Sequence, residues 1–164
     1  MLLLWYDYRV FMGGLCMKVS TKGRYALRLM IDLAEHDHGS FIPLKEISAR
    51  QGISIKYLEQ IVNQLSRSGL LRSVRGAQGG YRLSKPAQAY TAGEILRVTE
   101  GGLAPIACLE KNAAICSRKD TCSTLPFWNG FADAINNYVD NITLEDLVNQ
   151  HKDVIKDSNF IVKD

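Results

Sequence analysis

From Tyr25 onward, apolar side chains return every three or four positions: Tyr25, Ala26, Leu29, Met30 and Leu33. That spacing predicts an amphipathic helix, capped at Ser20 or Thr21, running to about His36 and closed by Gly39 in "HDHGSF". "IPLKEISARQG" predicts a short second helix, with Pro43 near its first turn and Gly52 at its end. Just beyond that glycine, Ser54 caps a third helix. Leu58, Ile61, Val62 and Leu65 form its buried stripe, and Lys56, Glu59, Gln60 and Asn63 fall largely on the other side. The period then changes. "GLLRSVRGAQGGYRLSKP" predicts two short alternating strands, Leu71–Val74 and Tyr81–Leu83, around the glycine-rich turn "RGAQGG". Helical spacing returns in "TAGEILRVTEGG", where Thr91 and Glu94 have the pattern of a capping box. Pro126 opens a longer helix whose apolar positions Phe127, Trp128, Phe131, Ile135, Tyr138, Val139 and Ile142 form a wide stripe. Such a stripe needs a partner. The natural one is the same helix of a second subunit, and the chain's own core is the alternative. "TLEDLVNQHKDVIKD" predicts a last amphipathic helix capped by Thr143, and "SNFIVKD" a loose tail.

The resulting fold class is mainly α with a small β-hairpin wing. Two short helices separated by "QGIS" make a helix-turn-helix, for which a plain αα-hairpin is the alternative. The basic hairpin directly after it raises the specific reading, a winged helix-turn-helix.

Charge sharpens this picture. The formal net charge of +3 hides a gradient. Residues 17–90 carry twelve Lys/Arg against five Asp/Glu, a net of +7, whereas residues 91–164 carry seven against eleven, a net of −4. A basic N-terminal half points to a polyanion partner, set against ordinary scatter of surface charge. For a recognition helix in a major groove, the polar residues near its N-terminus are Ser54, Lys56, Tyr57, Glu59 and Gln60. Gln reads adenine through two hydrogen bonds, and Lys reads guanine or holds a phosphate. Arg75, next to Gly76 at the hairpin tip, suits a minor groove. Lys18, Lys22, Arg24 and Arg28 near the first helix would anchor phosphates, giving affinity and salt dependence without sequence information.

The opening "MLLLWYDYRVFMGGLC" is a poor secretory signal, because Asp7 and Arg9 break its apolar run and no basic region precedes it. "MKVSTKGRYALR" from Met17 reads as a natural domain beginning. Residues 1–16 are therefore expected to be a mis-called start or a disordered leader, leaving Cys16 without a role; a short amphipathic arm is the alternative. No apolar run approaches the ~20 residues of a membrane span, so no membrane partner and a cytoplasmic location are expected.

Cysteine is the remaining anomaly. "CLEKNAAICSRKDTC" holds three of the four cysteines, Cys108, Cys116 and Cys122, among charged and turn-forming residues. A buried structural cysteine would sit among apolar neighbours. Three clustered cysteines cannot all pair with one another, which points to metal or redox chemistry. Structural zinc favours spacings of two to four residues, and these are wider. A thiol switch tuned by Arg118 and Lys119 is a further option. No nucleophile–base pairing, phosphate-binding loop or metal–water motif is visible, so an enzyme is not expected.

"STKGRYAL", "ISIKYLEQ", "SVRGAQGGYRL", "TAGEILRVTEG" and "NITLEDLV" occur in this order and together strongly resemble the Rrf-type winged-helix regulators, the group containing IscR, NsrR and CymR. The resemblance runs from Met17 to about Gln150. It implies a dimeric bacterial transcription factor on a double-stranded DNA operator, with the helix from Pro126 as the dimerisation helix and with Tyr57, Gln60 and Arg75 as DNA contacts. IscR-like and NsrR-like members hold an iron–sulfur cluster with three cysteines in the loop before that helix, where Cys108, Cys116 and Cys122 stand here. The implied cofactor is such a cluster, 2Fe-2S ahead of 4Fe-4S. One departure is clear: the His three residues after the last Cys in IscR-like proteins is Leu125 here, while Trp128 keeps the register. CymR-like members generally lack the trio, and the alternative is a CymR-like repressor controlled by a cysteine-biosynthesis enzyme or a thiol switch. The expected organisation is a leader over 1–16, a DNA-binding domain over 17–90, the cluster loop and dimerisation helices over 91–150, and a tail over 151–164.

Overall fold

The computed structural model describes residues 19–76 and 79–161. Lys18 and the leader expected over residues 1–16 lie outside the described residues, as do positions 77 and 78 of the hairpin turn.

Among the described residues, six α-helices and one antiparallel hairpin follow in the order α1 (Thr21–Glu35), α2 (Leu44–Gln51), α3 (Ile55–Arg67), β1 (Leu71–Val74), β2 (Gly80–Leu83), α4 (Ala92–Glu100), α5 (Leu125–Asn141) and α6 (Leu144–Ile161). The caps explain the helix starts. Ser20, Ser54 and Thr91 each accept a backbone N–H of the following first turn, from Gly23, Tyr57 and Glu94 respectively. Gly52 ends α2 at φ 63°, in the left-handed region that a side chain would strain, and turns the chain into α3.

The apolar stripes of α1, α3, α4 and α6 close on one core. Leu29, Met30, Leu33, Ile47, Leu58, Ile61, Leu65, Ile95 and Leu144 are fully buried. Each such side chain contributes about 1.5–3 kcal/mol by leaving water. The hairpin pairs Leu71 with Leu83 and Val74 with Gly80. It is fastened along the outer edge of β2 by a two-way backbone bridge between Ile42 and Tyr81, 2.9 Å in each direction. Tyr90, also fully buried, pins the other side. Its hydroxyl accepts from the Ser84 and Lys85 backbone N–H groups at 2.8 and 3.0 Å and donates to the Leu70 carbonyl at 2.8 Å. The wing is therefore tethered to the segment before α2 on one strand and to Tyr90 at its base.

α5 stands apart from this core. None of its residues is buried. It is tied to α4 where Arg97 grips Asp140 at 2.6 and 2.8 Å and reaches Asn136 at 2.6 Å.

Three expectations need correction. The loose tail expected from Ser158 starts later, and the boundary drawn at residue 151 falls inside a helix: α6 continues to Ile161, because no Gly or Pro stops it. The capping box at Thr91 is only half made. Thr91 caps the Glu94 N–H, but the Glu94 carboxylate turns to Lys85 Nζ at 2.8 and 3.0 Å, since an ammonium is a stronger partner than the cap N–H. The second strand begins at Gly80 and the long helix at Leu125, each one residue earlier than the pattern suggested.

Candidate nucleic-acid interface and cysteine loop

α3 presents its polar face outward because Leu58, Ile61, Val62 and Leu65 hold the opposite face in the core. Lys56, Glu59, Gln60 and Asn63 are all exposed, and their spacing of three and four puts them on one stripe. The Ser54 hydroxyl accepts the Tyr57 N–H at 3.3 Å, so it closes the helix rather than hanging free. Tyr57 is half-buried, its ring edge-on to Tyr25 at 5.5 Å.

Lys22 and Arg24 sit near the start of α1, Lys22 half-buried and Arg24 exposed with Nη2 donating to Thr21 Oγ1 at 3.1 Å. Cations there oppose the positive end of the helix dipole, and the first turn contains no acidic residue. The offsetting anion comes from α4: Glu100 Oε1 accepts from Ser20 N at 3.3 Å and from Ser20 Oγ at 2.7 Å.

At the hairpin tip Arg75 and Gly76 are exposed, Gly76 at φ 111°. The strands add two residues that the sequence reading passed over. Arg72 and Arg82 are direct partners in the ladder. Like charges placed opposite one another destabilise a hairpin unless an anion lies between or beside them. Arg82 is steered over the Phe41 ring, 5.6 Å from its centroid, and donates to the Gly39 carbonyl at 3.3 Å; Arg72 remains exposed. The register of "LRSV" against "GYRL" was the available signal.

A second feature missed by pattern reading lies between α1 and α2. Asp32 falls within the apolar stripe of α1 and is fully buried. A buried charge must be paired. Arg50 binds it with Nη2 at 2.7 Å and Nε at 3.0 Å, and Gln51 Nε2 adds a bond at 2.9 Å. Gln51 in turn accepts from Arg28 Nε at 3.1 Å, while Arg28 Nη2 donates to the Gln51 carbonyl. Arg28 also lies over the Tyr25 ring at 5.4 Å. Arg28 is thus exposed, with its Nε and one Nη2 donor bonded to Gln51.

The cysteines occupy the segment between α4 and α5. Cys108 and Cys116 are exposed and Cys122 half-buried, and all three are free thiols. Among the described residues, no group of three His, Cys, Asp or Glu side chains is gathered as a ready metal site. The donor set still suits an iron–sulfur cluster, for which thiolates are the usual ligands. The Cys122 thiol is held below its ordinary range, first by hydrogen bonding to the Thr124 hydroxyl, 3.6 Å away, and then by the Thr124 backbone. Leu125, the first residue of α5, is half-buried and offers no ligand atom.

A helix-turn-helix with its polar face outward, followed at once by a basic hairpin, defines a winged-helix DNA-binding transcriptional regulator. The chain matches the family model Rrf2, described as an iron-dependent transcriptional regulator, over residues 19–150, and it belongs to that family. It is 39% identical over 136 residues to the HTH-type transcriptional regulator IscR of Erwinia tasmaniensis, covering 83% of this chain and 81% of that protein. Among solved structures it resembles CymR, the global cysteine regulator of B. subtilis, with a TM-score of 0.66, 39% identity, and 81% of this chain and 97% of that chain covered. It also resembles T. potens IscR, with a TM-score of 0.66, 36% identity, and coverage of 84% and 90%. The protein is a transcriptional regulator and not an enzyme. No helix among the described residues is long and apolar enough to cross a membrane.

Proposed function

We propose that this protein is a homodimeric regulator whose operator affinity depends on an iron–sulfur cluster held by Cys108, Cys116 and Cys122. One observation carries the reading: three free thiols share a polar segment that runs directly into α5, in a chain similar to IscR along most of its length. Such a cluster would supply a redox- and iron-responsive centre, 2Fe-2S ahead of 4Fe-4S. The residues that would read DNA are Ser54, Lys56, Tyr57 and Gln60 at the start of α3 and Arg75 and Gly76 at the wing tip, with Lys18, Lys22 and Arg24 anchoring phosphates. A dimer would place two α3 helices in half-sites one turn apart, ~34 Å, and a loop adjoining α5 is placed to alter that spacing. A DNA target puts the protein in the cytoplasm.

The first test is the visible spectrum of protein purified without oxygen, with iron and sulfide assayed on the same sample. Broad visible bands with matched iron and sulfide are expected, and Cys116→Ala should abolish them while the dimer persists. Protein that stays colourless after reconstitution with iron and sulfide would overturn the cluster.

Two observations favour a second reading. Leu125 leaves the thiols one ligand short, and the chain covers 97% of CymR at 39% identity. On this reading the protein governs cysteine metabolism through a partner enzyme of cysteine biosynthesis or a thiol switch. Retention of such an enzyme on the immobilised, colourless protein would support it.

A further inference from the structure

We infer that Arg28 is a positioning residue that sets the direction of the recognition helix, and that it does not itself hold a phosphate. The inference rests on the proposal above that α3 reads DNA. Arg28 lies on α1, yet it is bonded directly to the last residue before the turn that joins α2 to α3 and is linked through Tyr25, also on α1, to the first turn after it. Before the turn, it holds Gln51, the last residue of α2, through the side-chain oxygen at 3.1 Å and through the backbone carbonyl. That carbonyl is one of the acceptors left open at a helix C-terminus, where a cation is favoured. After the turn, the Arg28 guanidinium covers Tyr25 at 5.4 Å, and Tyr25 meets Tyr57 in the first turn of α3 at 5.5 Å with the rings at 77°.

The far end of this chain of contacts is fixed. Gln51 also donates to buried Asp32, which Arg50 clamps through two nitrogens. Residues 52–54 between the two helices therefore run between two tethered points, Gln51 and Tyr57, and both tethers meet at Arg28. A guanidinium is required for this. Its plane stacks on the ring while its edge donates twice, and a lysine ammonium has no plane to do so. Arg28, although exposed, thus has its Nε, one Nη2 donor and one face engaged by Gln51 and Tyr25. Its charge contributes to the field of the molecule, but its contacts serve the angle of α3.

The test separates the two roles. A specific duplex is selected from random-sequence DNA with the wild-type protein, and a scrambled duplex of equal length serves as the non-specific probe. Affinity for both is measured across a salt series for wild type, Arg28→Lys, Arg28→Gln and Tyr25→Leu. Backbone amide exchange over residues 52–57 is followed in the same proteins without DNA. Arg28→Lys and Tyr25→Leu are expected to lower the specific-to-scrambled ratio about tenfold, the size of losing one base-pair contact. Their salt slopes should be unchanged, and exchange over 52–57 should be faster. The inference is overturned if Arg28→Lys keeps the ratio while Arg28→Gln lowers the salt slope by about 0.9 on both duplexes, the signature of one lost phosphate contact. Wild-type protein that selects no sequence would sink the DNA-reading proposal alone. In that event amide exchange decides the brace, and unchanged exchange in Arg28→Lys overturns it.

Discussion

At the scale of single residues, Tyr90 shows how one side chain organises the base of the wing. It stands between the hairpin and α4, its ring buried and its hydroxyl serving two backbone donors and one acceptor. Lys85 Nζ lies 4.6 Å from the centre of the same ring. Removing only the hydroxyl leaves the shape intact but strands the Lys85 N–H, while the Leu70 carbonyl keeps the Ser84 N–H at 3.3 Å and Ser84 Oγ at 3.1 Å. Tyr90→Phe is therefore expected to destabilise the protein by about 1–3 kcal/mol, the cost of leaving such a group unpaired. Urea denaturation checks this through a lower midpoint at unchanged slope. A neutral result would mean that water replaces the hydroxyl. Asp32 makes the complementary point. Its position in an apolar stripe was visible in the sequence, but its partners Arg50 and Gln51 come from another helix, and no local pattern connects them.

At the scale of elements, the clamp between α4 and α5 fixes the two helices that flank the cysteine segment in the chain. Arg97 donates to both oxygens of Asp140 and holds that carboxyl below the usual carboxylate range; its hydrogen bonds are the main cause and its charge adds to them. A carboxyl lowered in the folded state contributes stability above its unfolded pKa of about 3.9 and loses it as pH falls through the lower folded value. Both side chains are more than a third exposed, so the contribution stays below about 1 kcal/mol. Thermal melting of wild type and Asp140→Asn between pH 7 and 3 should show a small wild-type advantage at neutral pH that shrinks as the pH falls below about 3.9. A constant gap across that range would assign the effect to packing instead. The elements themselves were largely legible. α1 and α3 bury residues at the spacing their sequences display, Ser20, Ser54 and Thr91 cap where their chemistry suggested, and the hairpin forms where the period changes from helical to alternating. What escaped was long-range choice. Glu94 preferred Lys85 to its own cap, exposed Arg28 bonded Gln51, and α6 packed against α1, with His151 Nδ1 2.7 Å from Glu35. Each depends on which distant residue the fold brings near, and that is absent from periodicity.

At the scale of the whole molecule, the basic end and the aromatic helix need each other. Phe127, Phe131 and Tyr138 are 66%, 40% and 70% exposed. At about 100° per residue, the spacing of four and then seven places all three within roughly 40° of one line along α5. Phe127 and Phe131 stack at 6.3 Å, and Trp128 meets both edge-on. A continuous aromatic stripe left in water is costly, and the proposed second copy of α5 would cover it symmetrically. Phe127→Glu together with Tyr138→Glu places two charges on that stripe without touching the core or the α4 clamp. Sedimentation should then report the mass of one chain in place of two, with the helical circular dichroism of the winged domain retained. DNA binding should fall on a two-half-site duplex far more than on a single half-site, because only the dimer gains from occupying both. A double variant that still sediments as a dimer would place the subunit contact elsewhere, and would remove the route by which a change at Cys108, Cys116 or Cys122 respaces the two copies of α3.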